Sequence, residues 1–307
     1  MENRRSFLKK SLLGGVLLSS GQFPFAAFAG RQHSDCLTIL HTNDTHSHID
    51  AFPMTDKYFP GQGGVAARGA AIDLIRQANP NVLLLDAGDV FQGTPYFNEY
   101  HGEIEMKALA AMKYDAITMG NHDFDIGMDG YVKQLKHVQF PVVVSNYGVE
   151  QTPLNGYVVP RTIIQKGHLK IGIVGAGVNL KGLVSEHNFK DLQFLDTIQT
   201  VQEQVNILKS DEKVDFIVCL SHLGYEYKHN QISDHILAQM TDGIDVIIGG
   251  HTHTFLSEPT VLKNKSNTDV IINQVGWAGV RLGRLDFEFN NQKTVKNFKS
   301  NTVILTK

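Results

Sequence analysis

The sequence predicts an α/β fold, and three observations carry that expectation. Short, strongly apolar runs recur along the chain, amphipathic helical patterns lie between several of them, and polar clusters follow directly after many of the runs. Each apolar run reads as a buried strand, and strand ends are where such folds collect their functional loops. In chain order, strands are expected at 37–41, 82–85, 116–119, 142–144, 170–174, 216–220 and 246–248. Helices are expected at 65–77, 103–112, 128–136, 197–209 and 232–240. From Asp269 onward the pattern changes to strands separated by turns, at 270–275, 283–289 and 302–305, which suggests an antiparallel component closing a second sheet. The run Gly172-Ile173-Val174-Gly175-Ala176-Gly177 lacks the spacing of a dinucleotide-binding turn and is read as a strand entering a loop.

Length and composition narrow the choices. A chain of 307 residues with no linker, repeat or low-complexity stretch can bury a full core, and one domain over 30–307 is the simpler organisation. The first residues, Asn3-Arg4-Arg5-Ser6-Phe7-Leu8-Lys9, precede an apolar stretch and then Ala27-Phe28-Ala29. That layout predicts a twin-arginine signal peptide over 1–29 and an exported, periplasmic or extracellular protein. A stable membrane anchor is not expected, because the apolar run falls short of the ~20 residues that span a bilayer. Removal of this segment deletes four basic residues and one acidic one, so the net charge of −3 becomes more acidic by three. Neither this balance nor any basic stripe suits a nucleic-acid polymer. With two cysteines no disulfide framework is possible; Cys219 reads as a buried inert thiol, and a Cys36 to Cys219 bridge is the alternative.

Five polar segments concentrate the chemistry: Thr42-Asn43-Asp44-Thr45-His46, Asp86-Ala87-Gly88-Asp89, Gly120-Asn121-His122-Asp123-Phe124-Asp125, Ser221-His222-Leu223-Gly224 and Gly249-Gly250-His251-Thr252-His253. Oxygen and nitrogen donors without thiolates suit Mn, Zn, Fe or Co better than copper(I) or an iron-sulfur cluster.

The order and spacing of these segments resemble the calcineurin-like metallophosphoesterases, in particular the branch of 5'-nucleotidases and 2',3'-cyclic-nucleotide phosphodiesterases. The stretches from Leu37 to His46, from Asp86 to Pro95 and from Met119 to Asp125 carry the likeness, with Asp123 where that branch usually has Glu. The resemblance implies a four-layer αββα sandwich of two mixed β-sheets flanked by helices, and two divalent metal ions. It implies that Asp44, His46 and His253 bind one ion, that Asn121, His222 and His251 bind the other, and that Asp89 bridges them. His122 and Asp125 match the family's catalytic dyad, with Asp125 holding the imidazole that faces the substrate. The other nine histidines, His33, His41, His48, His101, His137, His168, His187, His229 and His235, match no ligand position and are read as surface or packing residues.

Such resemblance implies a small phosphorylated substrate, foremost a nucleotide. Related 5'-nucleotidases carry a second, C-terminal domain that stacks the nucleobase, which leads to the expectation of either a separate nucleotide-specificity chain or a broad-specificity phosphatase. Other readings are a cyclic-nucleotide phosphodiesterase, a related ester hydrolase such as a thiosulfohydrolase, or a metal-binding subunit without catalysis. The presence of His122 and Asp125 counts against the last.

Overall fold

In a computed structural model of the chain, residues 36–306 are described. The twin-arginine segment and His33 lie outside them. The elements run β1 (Cys36–Thr42), α1 (Val65–Ala78), β2 (Val82–Asp86), α2 (Pro95–Tyr100), α3 (Glu103–Ala111), β3 (Ala116–Ile117), α4 (Gly127–Leu135), β4 (Val142–Val143), β5 (Tyr147–Gly148), β6 (Val158–Val159) and β7 (Arg161–Lys166). They continue with β8 (Leu169–Ala176), β9 (Gln193–Phe194), α5 (Thr197–Ser210), β10 (Phe216–Ser221), α6 (Asp234–Met240), β11 (Val246–Gly249), β12 (Thr260–Lys263), β13 (Asp269–Asn273), β14 (Arg281–Phe289) and β15 (Val295–Ile304).

Two large mixed sheets result. The first has the order β15-β14-β1-β2-β3-β4-β6, and the second the order β12-β13-β11-β10-β8-β7. In both, the central strands are parallel and antiparallel strands lie at one edge or both. Alternation along each strand sorts the apolar side chains into layers, since neighbouring residues point to opposite faces. Leu37, Ile39, Leu83 and Leu85 meet Val218, Leu220, Val246 and Ile248 between the two sheets. Leu40 and Leu84 face the other way, onto Ile72 of α1, Met106 of α3 and Tyr131 of α4. Ile217, Cys219 and Ile247 likewise face Val201, Val205 and Leu208 of α5 and Leu237 of α6. These three apolar layers make the four-layer αββα sandwich.

Helix α5 shows why such segments form. Val201, Val205 and Leu208 lie on one face at helical spacing, and the Asp196 carboxylate accepts the Gln199 N–H at 2.8 Å to cap its start. In α6 the cap is Ser233, so the helix begins at Asp234 and not at 232. The strand expected at 116–119 pairs only over β3, and that expected at 302–305 is the end of the ten-residue β15. The C-terminal antiparallel component also differs from expectation: β14 and β15 extend the first sheet beside β1, while β13 joins the second sheet parallel to β11. Cys36 and Cys219 are not joined by a disulfide, and Cys219 is buried in the centre of β10. Among the described residues no helix is long and apolar enough to cross a membrane.

Candidate metal centre

All five polar segments follow the C-terminal ends of parallel strands, β1, β2 and β3 in the first sheet and β10 and β11 in the second. Parallel alignment puts those ends on one side of the molecule, where α/β sheets bind ligands. The loops turn sharply to keep their side chains there. Asp44, His46, Asp89, His251 and His253 adopt φ of 50°, 46°, 55°, 73° and 52°. Non-glycine residues rarely enter this left-handed region, at a cost of about 1 kcal/mol or more each, and such residues cluster at functional sites.

Two groups able to hold a metal ion emerge, Asp44 with His46 and His253, and Asp89 with His222 and His251. His46 Nε2 lies 3.0 Å from His253 Nε2, and His253 Nε2 lies 3.3 Å from Asp44 Oδ1. His222 Nε2 is 3.1 Å from Asp89 Oδ2, which is itself 3.8 Å from His46 Nε2. Asp89 therefore stands between the groups. Asn121 belongs to the same neighbourhood through the loop after β3, because a Cβ on its neighbour Gly120 would collide with Asp89 Oδ1 and sit 2.6 Å from His222 Cε1. No side chain fits at Gly120. At Gly88 the backbone is left-handed, φ 90°, and a Cβ would lie 2.5 Å from the Gly120 nitrogen, so the loops after β2 and β3 touch without side chains between them.

Hydrogen bonds outside the groups set the ring orientations. A backbone carbonyl can only accept, so His222 Nδ1 donates to the Ala87 carbonyl at 2.7 Å and His46 Nδ1 to the Phe91 carbonyl at 3.2 Å. Each Nε2 is thereby turned inward, toward the Asp44 and Asp89 carboxylates. The donor set fits an ion: His222 Nε2 and Asn121 Oδ1 are buried with no hydrogen-bond partner. Electrostatics agree. Burial opposes charge on His222, but the Asp89 carboxylate overrides it and pushes the pKa up to about 10, so the cluster is built to hold positive charge in a buried place. Burial, reinforced by His222, pushes His251 down to about 4, and burial lowers His46 as well. Both shifts favour the neutral imidazole that metal ligation requires.

His122 occupies a short 3₁₀ turn over His122–Phe124 and is only half-buried. Its backbone N–H donates to Asp89 Oδ1 at 2.7 Å, its ring centroid is 5.3 Å from that of His46, and its Nδ1 pairs with Asp125 Oδ2 at 2.8 Å. The Asp125 hydrogen bond raises the His122 pKa against partial burial. The structure thus brings all nine predicted site residues to one place.

Two supporting residues carried no role in the sequence reading. Asp123 is buried and accepts four backbone N–H groups, from Asp89 and Gly120 on Oδ2 at 3.0 and 2.8 Å and from Val90 and Phe91 on Oδ1 at 3.0 and 3.2 Å. It ties the loop after β2 to the loop after β3. Asn43 donates to Asp44 Oδ2 and to the Gly276 carbonyl, both at 2.6 Å, and accepts the Val275 N–H at 3.0 Å. Both lie inside the polar segments, which is the one sequence signal that could have found them. Two of the histidines set aside lie nearby without joining the groups: His41 is buried against Asn273, with burial lowering its pKa to about 3, and His48 donates from Nδ1 to the His46 carbonyl at 2.9 Å and stacks on Phe52.

Comparison with known proteins gives a consistent result. The family model for the calcineurin-like phosphoesterase matches residues 37–255. A 5'-nucleotidase from Diplobatis ommata is 35% identical over 295 residues, covering 90% of this chain and 50% of that protein. The trifunctional nucleotide phosphoesterase protein YfkN of Bacillus subtilis (strain 168) is 33% identical over 300 residues, covering 88% of this chain and 19% of that one. Among solved structures, a 5'-nucleotidase precursor from Thermus thermophilus superposes with a TM-score of 0.81 at 34% identity, covering 88% of this chain and 55% of the other. The chain spans about half the length of the curated 5'-nucleotidases it matches.

Proposed function

Because the chain belongs to the calcineurin-like phosphoesterase family, we propose that it is an exported hydrolase of phosphate monoesters, 5'-nucleotides foremost, working with two divalent metal ions. Asp44, His46 and His253 would hold one ion and Asn121, His222 and His251 the other, with Asp89 standing between the two groups. When bound, such a pair supplies Lewis acidity that neutralises the phosphoryl oxygens and lowers the pKa of water. Mn, Zn, Fe and Co all suit this oxygen and nitrogen donor set.

The chain's own residues then divide the remaining work. Asp125 occupies His122 Nδ1, so the proton on Nε2 faces the ester, where the cationic ring stabilises charge on the phosphoryl group or protonates the departing alkoxide. The Asp125 hydrogen bond raises the His122 pKa and so favours the protonated ring. Asp123 holds Asp89 and Asn121 in register by clamping the amides around them. Export rests on Arg4 and Arg5 within the twin-arginine pattern.

The observation that carries this reading is the convergence of two metal-holding groups, linked through Asp89, with a carboxylate-paired histidine at their edge. The test is phosphate release by the full chain loaded with Mn, Zn or Co, assayed on AMP, UMP, 2',3'-cyclic AMP, glycerol 2-phosphate and an aryl phosphate. Release from AMP is the expected result, and no release from any ester overturns the proposal. The resemblance of the motif stretches to 2',3'-cyclic-nucleotide phosphodiesterases favours a second activity on 2',3'-cyclic AMP, which chromatography of the nucleotide products resolves, because ring opening yields a monophosphate and no free phosphate.

A further inference from the structure

The chain's single tryptophan, Trp277, lies parallel to His253, with centroids 5.8 Å apart and an interplanar angle of 8°. An aromatic surface therefore continues directly from the metal centre. Phe52 and Phe59 stand at 77° and 75° to the Trp277 ring with centroids 6.2 and 6.3 Å away, and Phe255 stacks on Phe59 at 5.9 Å. His48 stacks on Phe52 at 5.0 Å and stands edge-on to Trp277 at 5.4 Å, and Phe52 packs on Phe59 at 5.5 Å, so the rings brace one another into a corner, a bent aromatic wall whose outer side is partly exposed.

Three separate loops build this corner, those after β1, β11 and β13. Its rings differ from the aromatic clusters of the core. Phe216, Phe287 and Phe289 are buried between the sheets, whereas Phe52, Phe59, Phe255 and Trp277 all keep part of their surface in solvent. Beside them Met54 and Tyr58 are 76% and 71% exposed, which adds apolar surface where none is needed for packing. The corner is also firmly held. Ala278 N–H donates to the Asp44 carbonyl at 2.7 Å, Asn43 donates to the Gly276 carbonyl, and Phe52 N–H donates to the Gln62 carbonyl at 2.8 Å.

We propose that the corner walled by Trp277, Phe52 and Phe59 is a subsite for the leaving group, and that it takes a flat aromatic group such as a nucleobase. The proposal rests on the phosphoesterase reading and adds to it that the chain bears base-stacking surface of its own. An ester whose phosphate lies at the metal groups has this corner one ring's separation beyond His253. Inclined aromatic rings bind any base through its face with little regard to its hydrogen-bonding edge, so the subsite selects aromatic over aliphatic leaving groups and discriminates weakly among bases.

Because Trp277 has no other tryptophan to mask it, its fluorescence reports the corner directly. Titration of the Mn-loaded full chain with adenosine, which carries a base and no phosphate, should give a saturable change in emission, and glycerol 2-phosphate should not. In Phe52→Leu and Phe59→Leu the ratio of kcat/KM for AMP to that for glycerol 2-phosphate should fall about 5- to 100-fold, the span that stacking of one base supplies. No saturable response to adenosine or AMP overturns the subsite, and so does an unchanged ratio in both variants. A chain that released phosphate from no ester yet responded to adenosine would refute the phosphoesterase reading and leave the aromatic site standing.

Discussion

Loops on the first sheet bring Asp44, His46, Asp89, Asn121, His122 and Asp125 to the centre, whereas loops on the second bring only His222, His251 and His253. The negative charge within the two candidate groups thus belongs to one sheet. Its carriers, Asp44 and Asp89, are buried and held by N–H donors from both sheets, His251 among them at 3.0 Å from each oxygen of Asp44. The second sheet supplies imidazoles, and the outermost, His253, leaves 39% of its side chain exposed. Each group able to hold an ion takes members from both sheets. An ion held by either group would therefore tie the two sheets together beyond their shared apolar layer, with both carboxylates on the first sheet and three of the four imidazoles on the second.

The sharpest way to break this picture is to remove the carboxylate that both groups share. Asp89→Asn should lower hydrolysis by about 10³-fold or more through loss of metal, since the several kcal/mol of charge stabilisation goes with the ions. Activity together with metal analysis of the purified variant checks it. His122→Ala separates chemistry from ligation within the first-sheet half. It should keep both metals while kcat falls by ~10² to 10⁴. Loss of metal from that variant would remove the distinction between a ring that faces substrate and rings that face the ions.

Both residues were legible in the sequence because each polar segment directly follows an apolar run, and a strand's end fixes where its next few residues lie. The seven expected ligands and the dyad came from that arrangement and from family resemblance. Asp123 was not legible in its role. An acid beside ligands can turn its oxygens to a cation or to amides, and only the left-handed turn at Asp89 and the bare backbone at Gly120 decide for amides. The placement of β14 beside β1 was hidden for another reason: its pairing joins residues as distant as Thr38 and Asp286, 248 positions apart, and alternation along a strand does not name its partner. Helix α2 was missed because six residues are too few to show a period, and the aromatic corner because its rings come from three loops.

Smaller effects sharpen the comparison. Asp123→Asn replaces an acceptor oxygen with an amide that cannot accept, so two of the four backbone N–H groups lose their partner. Activity should fall about 10- to 100-fold, the usual cost of losing an outer support, and Asp123→Glu should restore part of it. Kinetics on both variants, with metal content measured in each, test whether the clamp acts by positioning. Chelation tests the imidazole half. Removing ions present at about a hundred times their dissociation constant should lower stability by about 3 kcal/mol, or about 5 to 10 °C in melting temperature. A melting curve indifferent to chelator would show that the sheets dock without them.

Anomalous diffraction from crystals of the full chain grown with manganese locates the ions themselves. Two peaks should appear, one among Asp44, His46 and His253 and one among Asn121, His222 and His251, with the Asp89 carboxylate between them. A single peak confined to one sheet's loops, or none at these residues, would contradict a centre assembled jointly by the two sheets.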